Sequence, residues 1–268
     1  MTRLEAIKST YGNWALVTGA SDGIGREFAL ILAQSGVNLV LVARRREVLE
    51  SLSSALEKDF SIQTMVLPAD LTHTSAVQDV INATRYVDIG LLIAAAGFGT
   101  SGRFIENRRD DELAMIDLNC RAVVDLCHHF TKRFQKRGRG GIVLMSSLLA
   151  FQGVHKAATY AATKAFIQTF AEGLRLEMKA FGVDVIASAP GPIHSGFGKR
   201  ADMKMSMGQK PSVVAKATLL ALGKRTTVRP GWLSLLLEWS LSPLPRWGRV
   251  RILSIIMSGM TKHQHPDT

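Results

Sequence analysis

Three glycines set between a short apolar strand and an amphipathic helix constrain this chain more than any other feature. The run Thr18-Gly19-Ala20-Ser21-Asp22-Gly23-Ile24-Gly25 directly follows the apolar residues 14–17. Behind it, residues 24–35 place Phe28, Ile31 and Leu32 at the spacing of one helix face. A first glycine lets the chain turn tightly; later ones let the backbone approach a phosphate and let the helix pack on the strand. The helix start offers free N–H groups and the positive end of its dipole to an anion. Gly19, Ser21, Asp22, Gly23, Ile24 and Gly25 are therefore candidates to hold a dinucleotide. The plainer alternative is that the glycines serve only the turn.

The rest of the chain repeats the strand–helix alternation. Residues 37–43 are a continuous apolar run, as expected of a strand buried on both faces. Further strands are read at 14–19, 62–70, 89–95, 141–147 and 183–189, with helices at 24–35, 46–58, 74–85, 110–136 and 158–181. Parallel strands need such crossovers. The expected fold class is α/β: a single Rossmann-type, doubly wound parallel sheet with helices on both faces. Its 268 residues suit one domain. Residues 1–230 are read as the nucleotide-binding domain with a built-in catalytic site, and 231–268 as its apolar C-terminal extension. Within the first part, 191–210 reads as a loop or lid and 212–223 as a helix.

The second strand ends in Arg44-Arg45-Arg46. A carboxylate there would accept from ribose hydroxyls, whereas an arginine accommodates a 2′-phosphate with paired donors. Arg44 is best placed and Arg45 stands behind it, so the expected cofactor is NADP(H); arginines capping a surface helix are the alternative. Asp22, acidic within the glycine loop, weakens this preference without reversing it.

Ser147 ends the fifth strand, Tyr160 follows thirteen residues later and Lys164 four after that. Tyrosine and lysine at i and i+4 share a helix face, about 6 Å apart along the axis. A free tyrosine, with a pKa of about 10, is a poor base near neutrality. An adjacent ammonium favours the phenolate, and lowering the pKa by about 3 takes about 4 kcal/mol, which a desolvated cation together with a nicotinamide charge can supply. A Tyr-x-x-x-Lys pair alone is common on helix surfaces; the strand-end serine and the glycine loop give this one its meaning. Ser147 is the candidate partner of the substrate oxygen.

TGASDGIG (18–25), the strand-end Ser147 and YAATK (160–164) together resemble the fingerprint of the classical short-chain dehydrogenase/reductase family, over about residues 12–230. The resemblance implies hydride transfer between NADP(H) and a carbonyl or alcohol. Tyr160 would be the general acid/base and Lys164 would bind ribose. Ser147, not Ser146, would orient the substrate, and Asn119, in DLNC, would support a proton-relay water. Asp70, followed by Leu71, would lie near the adenine. In Pro190-Gly191-Pro192-Ile193-His194-Ser195, the residues Pro190, Gly191, Ile193 and Ser195 would meet the nicotinamide amide, with Ser in place of the usual Thr. Ala94-Ala95-Ala96-Gly97 stands where the family has Asn-Asn-Ala-Gly; Ala96 and Gly97 are assigned to the cofactor. The missing asparagines predict altered local hydrogen bonding without lost chemistry. The acyl-chain and steroid ketoreductase branch shares most of these features.

A net charge of +11 admits nucleic acid, an anionic membrane or an acidic ligand. The cations are spread along the chain, though five gather at 132–139, so a solvated face is expected and nucleic acid is not. Cys120 and Cys127 lie seven apart, near one face of a helix, and imply neither a disulfide framework nor a metal site. The N-terminus has no apolar signal stretch, and the expected location is cytoplasmic with possible peripheral membrane contact.

The most apolar tract, 232–260, is broken by Glu238, Pro243, Pro245, Arg246, Arg249 and Arg251. No uninterrupted apolar run reaches the ~20 residues of a membrane span. Three roles stand open for this tail: a cap on the substrate pocket, a subunit interface, or a membrane-surface contact. The family resemblance implies a homodimer or tetramer. Met203, Met205 and Met207 suit either an apolar ligand or a surface loop. His155 is either pocket-lining or incidental. The expected partner is a hydrophobic carbonyl or alcohol. Competing readings are a dinucleotide-binding sensor or scaffold without turnover and a basic membrane-surface protein. The intact set of Asn119, Ser147, Tyr160 and Lys164 argues against the sensor.

Overall fold

Strands too apolar for a solvated face end up covered on both. In a computed structural model that describes residues 4–204, 208–241 and 243–264, they are β1 (Trp14–Thr18), β2 (Asn38–Ala43), β3 (Thr64–Pro68), β4 (Ile89–Ala94), β5 (Gly140–Met145), β6 (Val183–Ser188) and β7 (Thr227–Val228). All pair in parallel, in the order β3-β2-β1-β4-β5-β6-β7. The helices are α1 (Ile7–Tyr11), α2 (Gly23–Gln34), α3 (Arg46–Phe60), α4 (Thr74–Ala83), α5 (Arg109–Ile116), α6 (Ala122–Arg137), α7 (Ala158–Lys179), α8 (Gly196–Arg200), α9 (Pro211–Ala221), α10 (Trp232–Leu241) and α11 (Arg246–Met260).

Side chains alternate across the sheet with period two. Ala15, Val17, Leu39, Leu41 and Ile93 meet Phe28 and Leu32 of α2, Leu49 of α3 and Val214 of α9. Leu16, Val40, Val42, Leu92 and Ile142 meet Val77 of α4, Phe130 and Phe134 of α6 and Ile167 of α7. Each fully buried side chain of this kind contributes about 1.5–3 kcal/mol of transfer free energy. The strand order reverses between β1 and β4, and ligands of such sheets bind in the crevice outside the carboxyl ends of the strands at that point.

The structure departs from the sequence reading in four places. The helix expected over 110–136 is broken at Asp117–Arg121 into a wider π turn between α5 and α6. Such bulges occur at functional sites, and this one carries Asn119. Arg121 braces it, its Nε donating to Asp117 Oδ1 at 2.8 Å and its Nη1 to Thr74 Oγ1 at 2.8 Å. A seventh strand, β7, lies just ahead of the segment read as the extension, which itself holds α10 and α11. The lid region contains α8, and α1 precedes the sheet.

The cations at 132–139 are largely occupied within the fold. Arg133 Nη1 donates to Thr84 O at 3.0 Å, Arg137 binds Tyr11 O and Asp88, and Arg139 Nη1 reaches Ser9 O at 3.4 Å. Cys120 and Cys127 are buried free thiols, and burial pushes them up to about 11 and about 12.

Candidate active site

The glycine loop is packed too closely for side chains. Gly19 takes a φ of +69°, and a Cβ there would fall 2.9 Å from Ala96 Cα. A Cβ on Gly25 would fall 2.3 Å from Gly19 O. The loop thus lies flat against the end of β4 and aims the first turn of α2 into the crevice. Asp22 caps that turn: its Oδ1 accepts from Gly23 N–H at 2.7 Å, and its Oδ2 accepts from Gly196 N–H at 3.1 Å. The carboxylate is engaged in joining two helix starts. Where asparagines are missing, Thr18 does the bonding: its Oγ1 accepts from Ala96 N–H at 3.0 Å and donates to Ile93 O at 3.4 Å.

Beyond β2, Arg44 Nη1 lies 3.8 Å from Asp70 Oδ2, both groups well exposed. Arg45 Nη2 donates to Ser21 O and Ser21 Oγ, each at 3.3 Å. Burial works to raise the Asp70 carboxyl, but the backbone and hydroxyl bonds from Thr72, with Arg44 and His73 nearby, hold it below its ordinary value. The two guanidinium groups, the first turn of α2 and the bare backbone of the glycines form a donor set suited to a phosphate-bearing dinucleotide.

At the ends of β5 and the start of α7, Ser147, Tyr160 and Lys164 are all buried. Lys164 Nζ donates to Met145 O at 2.8 Å and stands 5.7 Å from the centre of the Tyr160 ring. Burial pulls Lys164 down to about 8, opposed by Cys120. The expected lowering of the Tyr160 phenol draws on this ammonium together with the nicotinamide charge; in the chain by itself burial dominates. Burial pushes Tyr160 up to about 12, and a hydrogen bond with Ser147 works against the rise. The ring is enclosed by apolar neighbours, and the lysine bonds a strand carbonyl.

Ser147 Oγ also accepts from Leu149 N–H at 3.2 Å, capping the short 3-10 turn Leu148–Phe151. Ser146 Oγ donates instead to Lys164 O at 3.2 Å.

One cleft of about 540 Å³ gathers the predicted residues: Gly19, Ser21, Asp22, Gly23, Ile24, Gly25, Arg44, Arg45, Asp70, Leu71, Ala96, Gly97, Ser147, Tyr160, Lys164, Pro190, Gly191, Ile193 and Ser195. Asn119 is the exception. It is 1% exposed and lies behind the wall, its Nδ2 donating to Phe98 O at 2.9 Å and to Thr163 Oγ1 at 3.1 Å. Its Oδ1 accepts from Phe98 N–H at 3.2 Å.

The far half of the cleft is apolar; the sequence offers Met203 and a capping tail for it, without naming the tail residues. Phe98, Leu149 and Met203 line it together with Leu253, Ile256, Met257 and Met260 of α11. The spacing of Leu253, Met257 and Met260 is a helix-face signal that could have been read. The Phe197 ring lies 5.2 Å from the Tyr160 ring, and the Arg200 guanidinium sits 4.0 Å over Phe98. Met205 and Met207 lie outside the described residues. His155 is exposed and does not line the cleft, which removes it as a pocket residue. The tail is thus, in part, a wall of the pocket.

Comparison with known proteins agrees with this geometry. The family model for short chain dehydrogenase matches residues 13–205, from β1 through β6. The chain is 32% identical over 231 residues to a 7beta-hydroxysteroid dehydrogenase of Clostridium sardiniense, covering 85% of this chain and 88% of that one. It is 33% identical over 245 residues to a very-long-chain 3-oxoacyl-CoA reductase of Phaeosphaeria nodorum, covering 86% and 71%. The solved structure of a short-chain dehydrogenase from Sphingobium yanoikuyae in complex with NADPH aligns with a TM-score of 0.78 at 30% identity, covering 88% of this chain and 94% of that one. The match runs through the sheet, the crevice and the buried Tyr160 helix alike, and the chain therefore belongs to the classical short-chain dehydrogenase/reductase family of oxidoreductases.

Proposed function

We propose that this enzyme moves a hydride between NADP(H) and the carbonyl or alcohol of a hydrophobic substrate, with Tyr160 as general acid/base. The observation that carries the reading is the continuity of one cleft. Its glycine-floored half, edged by Arg44 and Arg45, runs past the buried Ser147, Tyr160 and Lys164 into an apolar half roofed by α11.

The residues fit the cofactor. The Gly19–Gly25 loop and the first turn of α2 would hold the pyrophosphate, and Arg44 and Arg45 the 2′-phosphate that distinguishes NADP(H). Asp70 and Leu71 would flank the adenine. Ala96, Gly97, Pro190, Gly191, Ile193 and Ser195 would surround the nicotinamide, which when bound supplies or takes the hydride.

Ser147 donates its hydroxyl to the substrate oxygen and holds it beside Tyr160. Tyr160, raised to about 12 by burial, is protonated at neutral pH, so its hydroxyl is a proton donor to the alkoxide formed on reduction. Lys164 remains mostly cationic below its value of about 8 and binds a ribose hydroxyl. Asn119 acts as a positioning residue: its amide pins both polar groups of Phe98 and thereby the Gly97 floor. The relatives' names, a hydroxysteroid dehydrogenase and a 3-oxoacyl-CoA reductase, together with the apolar wall, favour a steroid-like or acyl-chain carbonyl.

The test is NADPH oxidation with steroid ketones, 3-oxoacyl thioesters and aromatic aldehydes, alongside NADH and Tyr160→Phe. Turnover that prefers NADPH and falls at least about 100-fold in Tyr160→Phe supports the assignment. Unchanged turnover in that variant refutes it.

A further inference from the structure

We infer that the outward faces of α10 and α11 form a docking surface for an anionic phospholipid membrane, with the mouth of the cleft at its edge.

Helix α10 presents an apolar stripe to the outside, though its Leu241 is buried. Its Ser234 is buried, and Ser234 Oγ accepts from Gly191 N–H at 2.8 Å. Its Trp232, Leu235, Leu236 and Trp239 recur at i, i+3, i+4 and i+7, the spacing of one apolar stripe, yet they are 66%, 54%, 49% and 79% exposed. Helix α11 has two sides. Leu253 and Met257 are buried against the cleft, while Trp247 and Ile255, eight residues apart on one outer row with Arg251 between them, are 71% and 68% exposed. Ile256 belongs to both sides: it lines the cleft and is 39% exposed. The apolar surface therefore runs to the rim of the substrate half. Exposed aromatic and aliphatic side chains clustered this densely mark an interaction site.

Charge selects the occupant. Between residues 231 and 262 the chain has one acid, Glu238, and four cations, Arg246, Arg249, Arg251 and Lys262. Arg246, Arg251 and Lys262 are exposed. A two-fold pairing of this face with a second copy would set like charges against each other. Anionic headgroups neutralise them, and tryptophans favour the headgroup level. No helix among the described residues is long and apolar enough to cross a membrane, so α10 and α11 would lie in the plane of the interface. If the proposed reductase activity holds, an apolar substrate would reach the cleft directly from lipid.

The experiment is sedimentation of the full-length protein with sucrose-loaded vesicles of phosphatidylcholine alone or mixed equally with phosphatidylglycerol. It needs no turnover, so its result is independent of the proposed activity. The protein is expected to pellet with the phosphatidylglycerol vesicles and to be released by salt. A Trp239→Gln/Trp247→Gln/Ile255→Gln protein with an unchanged thermal melt should partition about tenfold more weakly or less. Arg246→Gln/Arg251→Gln should lose the preference for the anionic vesicles. Wild-type protein that stays in solution with both vesicles overturns the inference. So does a wild-type dimer, seen by light scattering, that the apolar variant splits while vesicle binding is unaffected; the face is then a subunit interface.

Discussion

Replacing Lys164 with methionine should leave a mark on stability that depends on pH in one direction only. Lys164 is 6% exposed, and its ammonium bonds Met145 O at 2.8 Å. Burial holds its folded value near 8 against an ordinary 10.5. Between those values the unfolded chain carries the proton and the folded chain has released it. Stability must therefore rise with pH, because the unfolded state binds more protons there. At about 1.36 kcal/mol per pH unit, the wild-type protein should gain about 2 kcal/mol from this residue between about pH 7 and about pH 9.5. Lys164→Met has no such gain. Tyr160, Cys120 and Cys127 are displaced upward and so work the opposite way as pH rises, but they are present in both proteins and the comparison removes their common contribution. The assay is urea unfolding of both proteins across that range, taking the difference between them at each pH. The difference should move in favour of wild type by about 2 kcal/mol as pH rises. A flat difference, or one that moves the other way, would show that the lysine is not desolvated as the structure has it.

Three further outcomes test other parts of the site. Gly25→Ala should cost about 1–3 kcal/mol in thermal unfolding and weaken NADPH binding, because its Cβ would meet Gly19 O at 2.3 Å. Arg44→Asp should lower the NADPH-to-NADH ratio of kcat/KM by about tenfold or more, since a charge-assisted bond to phosphate is replaced by repulsion; an unchanged ratio would move the selection to Arg45. Ser234→Ala strips Gly191 N–H of its acceptor at 2.8 Å, which should cost about 1–3 kcal/mol and raise KM for NADPH more than for the ketone. Equal changes in both would make Ser234 a purely structural residue.

The glycine loop, the alternation of strand and helix, and the Tyr160–Lys164 pair could be read from residue order because each rests on local geometry. A tight turn restricts its own backbone, a buried strand must be apolar throughout, and i and i+4 share a helix face wherever the helix goes. With them came the parallel sheet, the crevice and nearly all of its polar lining. What residue order left open was decided by which segments meet across the fold. The π turn at Asn119 is held by contacts to Phe98 and Thr74 across more than 20 positions of sequence. The apolar roof comes from α11, about ninety residues beyond Tyr160. Burial pushes the phenol up more than the neighbouring Ser147 bond brings it down, and the Lys164 ammonium bonds a strand carbonyl. The same packing turned Ser234 inward and Trp239 outward on a helix whose composition is mostly apolar. Local sequence determines which conformations a segment accepts; desolvation and the choice of partner belong to the tertiary structure, because both depend on what else is packed within a few ångströms.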